Sequence, residues 1–184
     1  MATATAPALP TVTDICASFD LSEEARALLR PGMSAWDFAA ALVEHEEFVP
    51  GIDFLAHAMC LRNGVWWACL CVQHVCGKEL SAPDRSALYA ATVWVLQPSD
   101  QNRSNAGAPA RSAGPVSPAG RVAGAVSVAN VPPNMLPGRE AADAIAAAVK
   151  LASVKAEPAR ISAVQRQFVE LGMKFAGAPT PAKA

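Results

Sequence analysis

Read for the spacing of apolar and polar positions, the chain is a succession of short helical patterns separated by Pro/Gly punctuation. Residues 1–13 are Ala-, Thr- and Pro-rich and are expected to form a disordered tail. Asp20 and Glu23 stand at capping-box spacing, which predicts a first helix from near Asp20 to Pro31-Gly32. Ser34 and Asp37 repeat that spacing. Trp36, Phe38, Ala39, Ala40, Leu42 and Val43 then give a second helix a broad apolar face, with Pro50-Gly51 as its expected end. Ile52, Leu55, Ala56 and Met59 predict a short third helix, broken at Asn63-Gly64.

The fourth pattern, Val65 to Cys76, is the most distinctive. Val65, Cys69, Val72 and Cys76 share one helical face, and Trp66, Leu70 and Val75 cover much of the rest. A helix that is apolar nearly all round belongs at the centre of its bundle. Gly77 is placed as its C′ residue. Ser81-Ala82-Pro83-Asp84 opens a fifth helix that runs to about Leu96, before Pro98, and a short helix follows from Ser99 to about Asn105.

Residues 106–119 lack periodic apolar positions and are rich in Ala, Gly, Pro and Ser, which predicts a linker. Val122, Ala125, Val126 and Ala129 predict one short helix, although the valines of Val122–Val131 also suit an extended segment. Two long helices close the chain. Ala141, Ile145, Ala148 and Ala152 line the first, and Ile161, Val164, Phe168, Leu171 and Phe175 line the second. The break near Pro158 predicts an antiparallel hairpin of these two, with the Ala stripe letting their axes approach closely.

The expected fold is therefore all-α. It comprises a helical core over 14–105 of about five helices, a linker over 106–119, helices over 120–177 that pack back on the core, and a disordered tail over 178–184. Solenoid-like stacking of successive helix pairs is compatible with this order. Composition agrees: 52% of the 184 residues are hydrophobic but only 6% are aromatic, as suits closely packed Ala-rich helices. Trp36, Trp66 and Trp67 place the larger core in the first half.

Charge divides the chain. Residues 1–97 carry five basic and eleven acidic residues, and residues 98–184 carry ten basic and five acidic. Attraction between the halves, within one chain or between two in a homodimer, is expected. The basic residues of the second half stand singly, without interleaved aromatics, so nucleic-acid binding is not expected. The N-terminal residues show no basic segment followed by an apolar one, and the longest apolar run, Val65–Cys71, is too short for a bilayer. An odd set of five cysteines (Cys16, Cys60, Cys69, Cys71, Cys76) without a leader points to a reducing, cytoplasmic setting.

Chemistry-bearing patterns are few. Cys69, Cys71, His74 and Cys76 offer three thiols and an imidazole within eight residues, a metal-binding or thiol-active set. On one helix their side chains diverge, and His57 with Cys60 supplies the only further pair at ligand spacing. Core packing is the simpler reading, since free cysteine packs as a small hydrophobe. Glu44-His45-Glu46-Glu47 reads as a solvated helix end rather than as an acid/base pair. Trp66 and Trp67 point about 100° apart on a helix, so one fills the core while the other reaches a surface, unless both are buried between helices. Arg62 lies where it stacks on the outer ring. Arg62, Trp66 and Trp67 are thus the candidate interaction residues; no catalytic and no cofactor-binding residue is assigned.

Val65-Trp66-Trp67-Ala68-Cys69-Leu70-Cys71, Trp94-Val95-Leu96-Gln97-Pro98-Ser99-Asp100-Gln101-Asn102-Arg103 and Phe168-Val169-Glu170-Leu171-Gly172 together resemble a family of uncharacterised bacterial all-helical proteins. That family is associated with secretion gene clusters, type VI among them. The resemblance implies an accessory role and supplies no catalytic residue. The expectation is a non-enzymatic interaction or adaptor protein with a protein partner and no cofactor. The metal- or thiol-active helix is the alternative.

Overall fold

The computed structural model describes residues 10–176. Among these residues there are ten α-helices and no strand: α1 (Val12–Cys16), α2 (Glu23–Ala27), α3 (Ala35–Glu44), α4 (Phe48–Ala58), α5 (Leu61–Cys76), α6 (Ala82–Leu96), α7 (Asp100–Ala113), α8 (Pro118–Ser127), α9 (Arg139–Ser153) and α10 (Ile161–Ala176). The fold is all-α, and the extended reading of 122–131 gives way to α8. Residues 1–9 of the expected tail 1–13 and all of the expected tail 178–184 lie outside the described residues, but Val12 and Thr13 are helical. Thr11 accepts from the Asp14 amide while Asp14 accepts from the Thr11 amide, a reciprocal cap.

Serine caps set most of the starts. Ser34, Ser81, Ser99 and Ser117 each accept an amide from the residue three positions on. The first expected helix starts later than its Asp20–Glu23 spacing predicts, because Ser22 caps α2 through the Ala25 amide. α3 ends in a Schellman turn: the Glu47 amide donates to Leu42 O at 2.8 Å and the Glu46 amide to Val43 O at 3.2 Å. Glu46 has φ +61°, so the expected solvated helix end is a turn made by a non-glycine residue in the left-handed region.

Three punctuation signals are overridden. Pro50-Gly51 lies inside α4, with Pro50 in the first turn, where a missing N–H is harmless. Asn63-Gly64 lies inside α5, which starts four residues earlier than its apolar pattern. No side chain caps α5; instead its Leu61 and Arg62 amides donate to Met135 O (2.8 Å) and Pro133 O (2.9 Å) of the loop before α9. The expected linker is largely helix, since α7 continues to Ala113 through Pro109. Its alanines favour helix, and α6 and α8 flank it. Pro109 lacks the N–H that would otherwise donate to the carbonyl of Asn105, an exposed residue.

Helices α5 and α9 form the middle of the molecule. α5 touches α6, α8, α9 and α10, and α9 touches α4, α5 and α8. α6, α7 and α8 pack on one another at one side, and α3, α4 and α10 at the other. The Ala stripe of α9 therefore serves α4, α5 and α8. α10 lies against α3, α4 and α5 and meets α9 only lightly, so the two closing helices are not a packed hairpin. Gly64 lets α9 come close, for a Cβ there would stand 3.2 Å from Ile145 Cδ1. Most of the largest fully buried side chains (Trp67, Phe38, Phe54, Leu42, Ile52, Leu55) do fall in the first half.

Candidate functional site

Of the three expected interaction residues, Arg62 and Trp66 are half-buried and Trp67 lies in the core. Trp67 is 0% exposed and donates its indole N–H to Phe168 O on α10 at 2.9 Å. A buried indole with its donor satisfied is a core residue, which corrects its assignment as an interface residue. Arg62 donates Nε to Val95 O at 2.7 Å, at the carbonyl end of α6. There it serves as a clamp between α5 and α6, favoured by the negative end of the α6 dipole. Trp66 is half-buried. It lies one turn before half-buried Leu70 on the outer face of α5.

From Leu70 that face runs into a groove of about 520 Å³ between α5 and α10. Leu70, Phe168 and Leu171 line it with apolar surface, and Gln73, His74, Glu170 and Lys174 are its polar edges. The His74 ring stands edge-on to Phe168 at 6.2 Å. Glu170 is held by Arg166 at 2.9 Å along α10.

The cysteine helix does not assemble a site. Cys69 and Cys71 are buried, His74 is exposed and Cys76 is half-buried. Burial pushes the Cys69 thiol up to about 12 and the Cys71 thiol well above its usual range, and also raises Cys76. Such thiols are protonated at neutral pH and poor nucleophiles. Among the described residues no three His, Cys, Asp or Glu side chains are placed to hold a metal ion, with His57 and Cys60 included.

Sequence reasoning passed over a polar cluster where α4 meets α9. His57 is 6% exposed, and its ring lies 4.9 Å from that of Phe19. Nδ1 lies 3.1 Å from Asp53 O, a carbonyl one turn back that only a ring N–H satisfies. Nε2 is then an acceptor without a hydrogen bond, 3.4 Å from Asp143 Oδ1. Lys150 closes the cluster by donating to Asp53 at 2.6 Å, and Arg139 stands 3.6 Å from Asp143. The pairing of Asp53 and His57 at i,i+4 in an otherwise apolar helix was the sequence signal for it. Burial holds the His57 pKa below its ordinary value, against the opposing pull of Asp143 and Asp53.

This has a consequence for pH. A histidine whose folded pKa is depressed binds its proton more readily when unfolded, so stability is complete above the unfolded pKa near 6.5 and lost as pH falls below it. The urea midpoint should therefore drop between about pH 7.5 and 5.5. His57→Gln should flatten that dependence. An equally steep fall in the variant would assign the effect to other groups.

A match to the family of unknown function DUF6931 spans residues 38–176, from α3 to the end of α10. The chain belongs to that family. No curated protein and no solved structure matches it. The DUF6931 region contains the α5/α10 groove, Trp66 and the whole His57 cluster except its Phe19 lid, while α1 and α2 precede it. Among the described residues no helix is long and apolar enough to cross a membrane.

Proposed function

We propose that this DUF6931 chain is a non-enzymatic protein-interaction module. It would bind a protein segment that offers apolar side chains flanked by mixed charge. The observation that carries this reading is the α5/α10 groove beside Trp66. It combines an apolar floor with a polar rim, the anatomy of a protein interface. A partly exposed tryptophan next to it is a frequent energetic anchor. Glu170 and Lys174 at the edges give the partner charges of both signs to meet. An accessory role beside bacterial secretion genes, the setting that the sequence resemblance implies, suits such a module. The odd number of cysteines, five, supports a reducing, cytoplasmic setting.

The test is recovery of a partner with the tagged chain from the native organism. The partner is then purified and rebound to wild type, Trp66→Ala and Lys174→Glu. Trp66→Ala should weaken binding by about thirtyfold, the effect of losing a hot-spot side chain. Lys174→Glu should change mainly the association rate and its salt dependence. A partner that binds both variants as tightly as wild type rejects this groove, and a chain that turns over a substrate rejects the module reading altogether.

A further inference from the structure

Helix α6 carries two apolar stripes, and only one is used. Ala87, Leu88, Ala91, Trp94 and Val95 are buried against the body of the protein. On the opposite side, Ala82, Ser86, Tyr89, Val93 and Leu96 recur at spacings of four and three, the a/d repeat of a helix-pairing seam. This outer stripe faces solvent: Tyr89 is 72% exposed and Leu96 64%, Val93 is half-buried, and Ala82 and Ser86 are exposed. A surface helix of a soluble chain ordinarily carries charge on its outer face. Here residues 86–99 include no charged residue at all.

We infer that this stripe is the seam of a homodimer, in which α6 of one copy packs antiparallel on α6 of a second copy. Charge favours a second copy as the occupant. A two-fold axis sets a patch against itself, so any charge near the axis meets its own like. The α6 stripe brings no like charges together. The nearest ones, at its N-terminal end, are already engaged: Asp84 accepts from Ser81 and Ser117, and Arg85 donates to Leu80 O. Size fixes the direction. The stripe is small at its start (Ala82, Ser86) and large at its end (Val93, Leu96). Antiparallel pairing sets Leu96 over the partner's Ala82 and Val93 near the partner's Ser86, with the two Tyr89 rings side by side at the axis. Parallel pairing would leave a gap at one end and crowding at the other. The seam is independent of the α5/α10 groove, so either can fail without the other. Over 15 residues it runs for about 22 Å. That is short for an obligate interface, so a dissociation constant in the micromolar range is expected.

Sedimentation equilibrium of the full chain over a range of concentrations is the test. The expected result is reversible assembly to twice the 19.1 kDa chain mass. Assembly should persist in high salt, because no ion pair crosses the seam. Tyr89→Arg sets two cations against each other at the axis and should weaken the dimer at least about a hundredfold. Its thermal unfolding should match wild type, since Tyr89 is exposed. Ala82→Glu and Leu96→Arg should each weaken self-association, and mixing the two should restore a heterodimer through the Glu–Arg contact that antiparallel register creates. Three results would each overturn the inference: a monomer at every concentration, as when another protein or the chain's own tail occupies the stripe; a dimer that dissociates in high salt, which would instead pair the acidic and basic halves; or a dimer indifferent to Tyr89→Arg. Failure of the mixture to reassociate would overturn the antiparallel register.

Discussion

Trp67→Ala is expected to lower the unfolding free energy by about 3–5 kcal/mol, the cost of emptying the space of a large aromatic side chain. The site is poorly able to collapse. Trp67 is wholly buried, and Gly172 on α10 is pressed against it: a Cβ on Gly172 would stand 3.0 Å from Trp67 Cε2 and 2.9 Å from Leu55 Cδ1. The glycine backbone and the indole therefore define each other's shape. The indole N–H bond to Phe168 O adds about 1 kcal/mol. Trp67→Phe, which keeps most of the ring volume and loses the donor, should cost less than the alanine variant. Urea denaturation followed by circular dichroism measures both. An alanine variant with the wild-type midpoint would place this ring at the surface and revive its reading as an interface residue.

The second large effect is a contrast within one helix. Gly120→Ala should destabilise by about 1–3 kcal/mol, whereas Gly124→Ala, one turn on in α8, should stabilise by about 0.5–1 kcal/mol. At Gly120 a Cβ would lie 2.6 Å from Gly114 O, a backbone atom that cannot step aside, and 3.1 Å from Ala113 Cβ. The same residue donates its amide to Ser117 Oγ at 2.9 Å, and Ser117 in turn donates to Asp84 on α6. Pushing α8 off this turn loosens the joint of three helices. At Gly124 nothing lies within 4 Å of the added methyl, so only the gain in helix propensity remains. Melting curves of the two variants should move in opposite directions; a shift of the same sign would show that the turn after α7 yields more readily than its packing implies.

These glycines also explain which parts of the fold were legible. Helix starts were readable because a serine acts on the amide three residues ahead, an interaction wholly local in sequence. Ser34, Ser81 and Ser99 all perform as expected. Helix ends were misjudged wherever glycine was taken as punctuation but serves as a docking surface. A Cβ at Gly51 would meet Val169 at 3.2 Å, and one at Gly64 would meet Ile145 at the same distance. Both neighbours come from helices about a hundred residues away, which no local window contains. The stretch 106–113 failed for the related reason that an Ala/Gly-rich pattern describes a thin helix between two others as well as it describes a linker.

The candidate site was legible in the same partial way. Adjacent tryptophans on one helix had to diverge, but which of them turned inward was decided by Gly172, far along the chain. Arg62 was read as stacking on a ring because the C-terminal α6 carbonyl it clamps is brought to it only in three dimensions. The α5/α10 groove needed the return of α10 to the first half, which the expectation of a closing hairpin had pointed elsewhere.

That return has a bearing on how the protein is made. Helices α6 to α8 pack mainly on one another, close in sequence, and such contacts form quickly. The half built from α3, α4 and α5 is different, for the acceptor of the Trp67 indole is synthesised 101 residues later. During translation the parts of α4 and α5 that pack on α10 stay uncovered until α10 has left the ribosome, and at about 5–20 residues per second that interval lasts some seconds. A nascent chain stalled before Phe168 should therefore be a substrate for chaperones, whereas its α6–α8 segment would already be folding behind the open core.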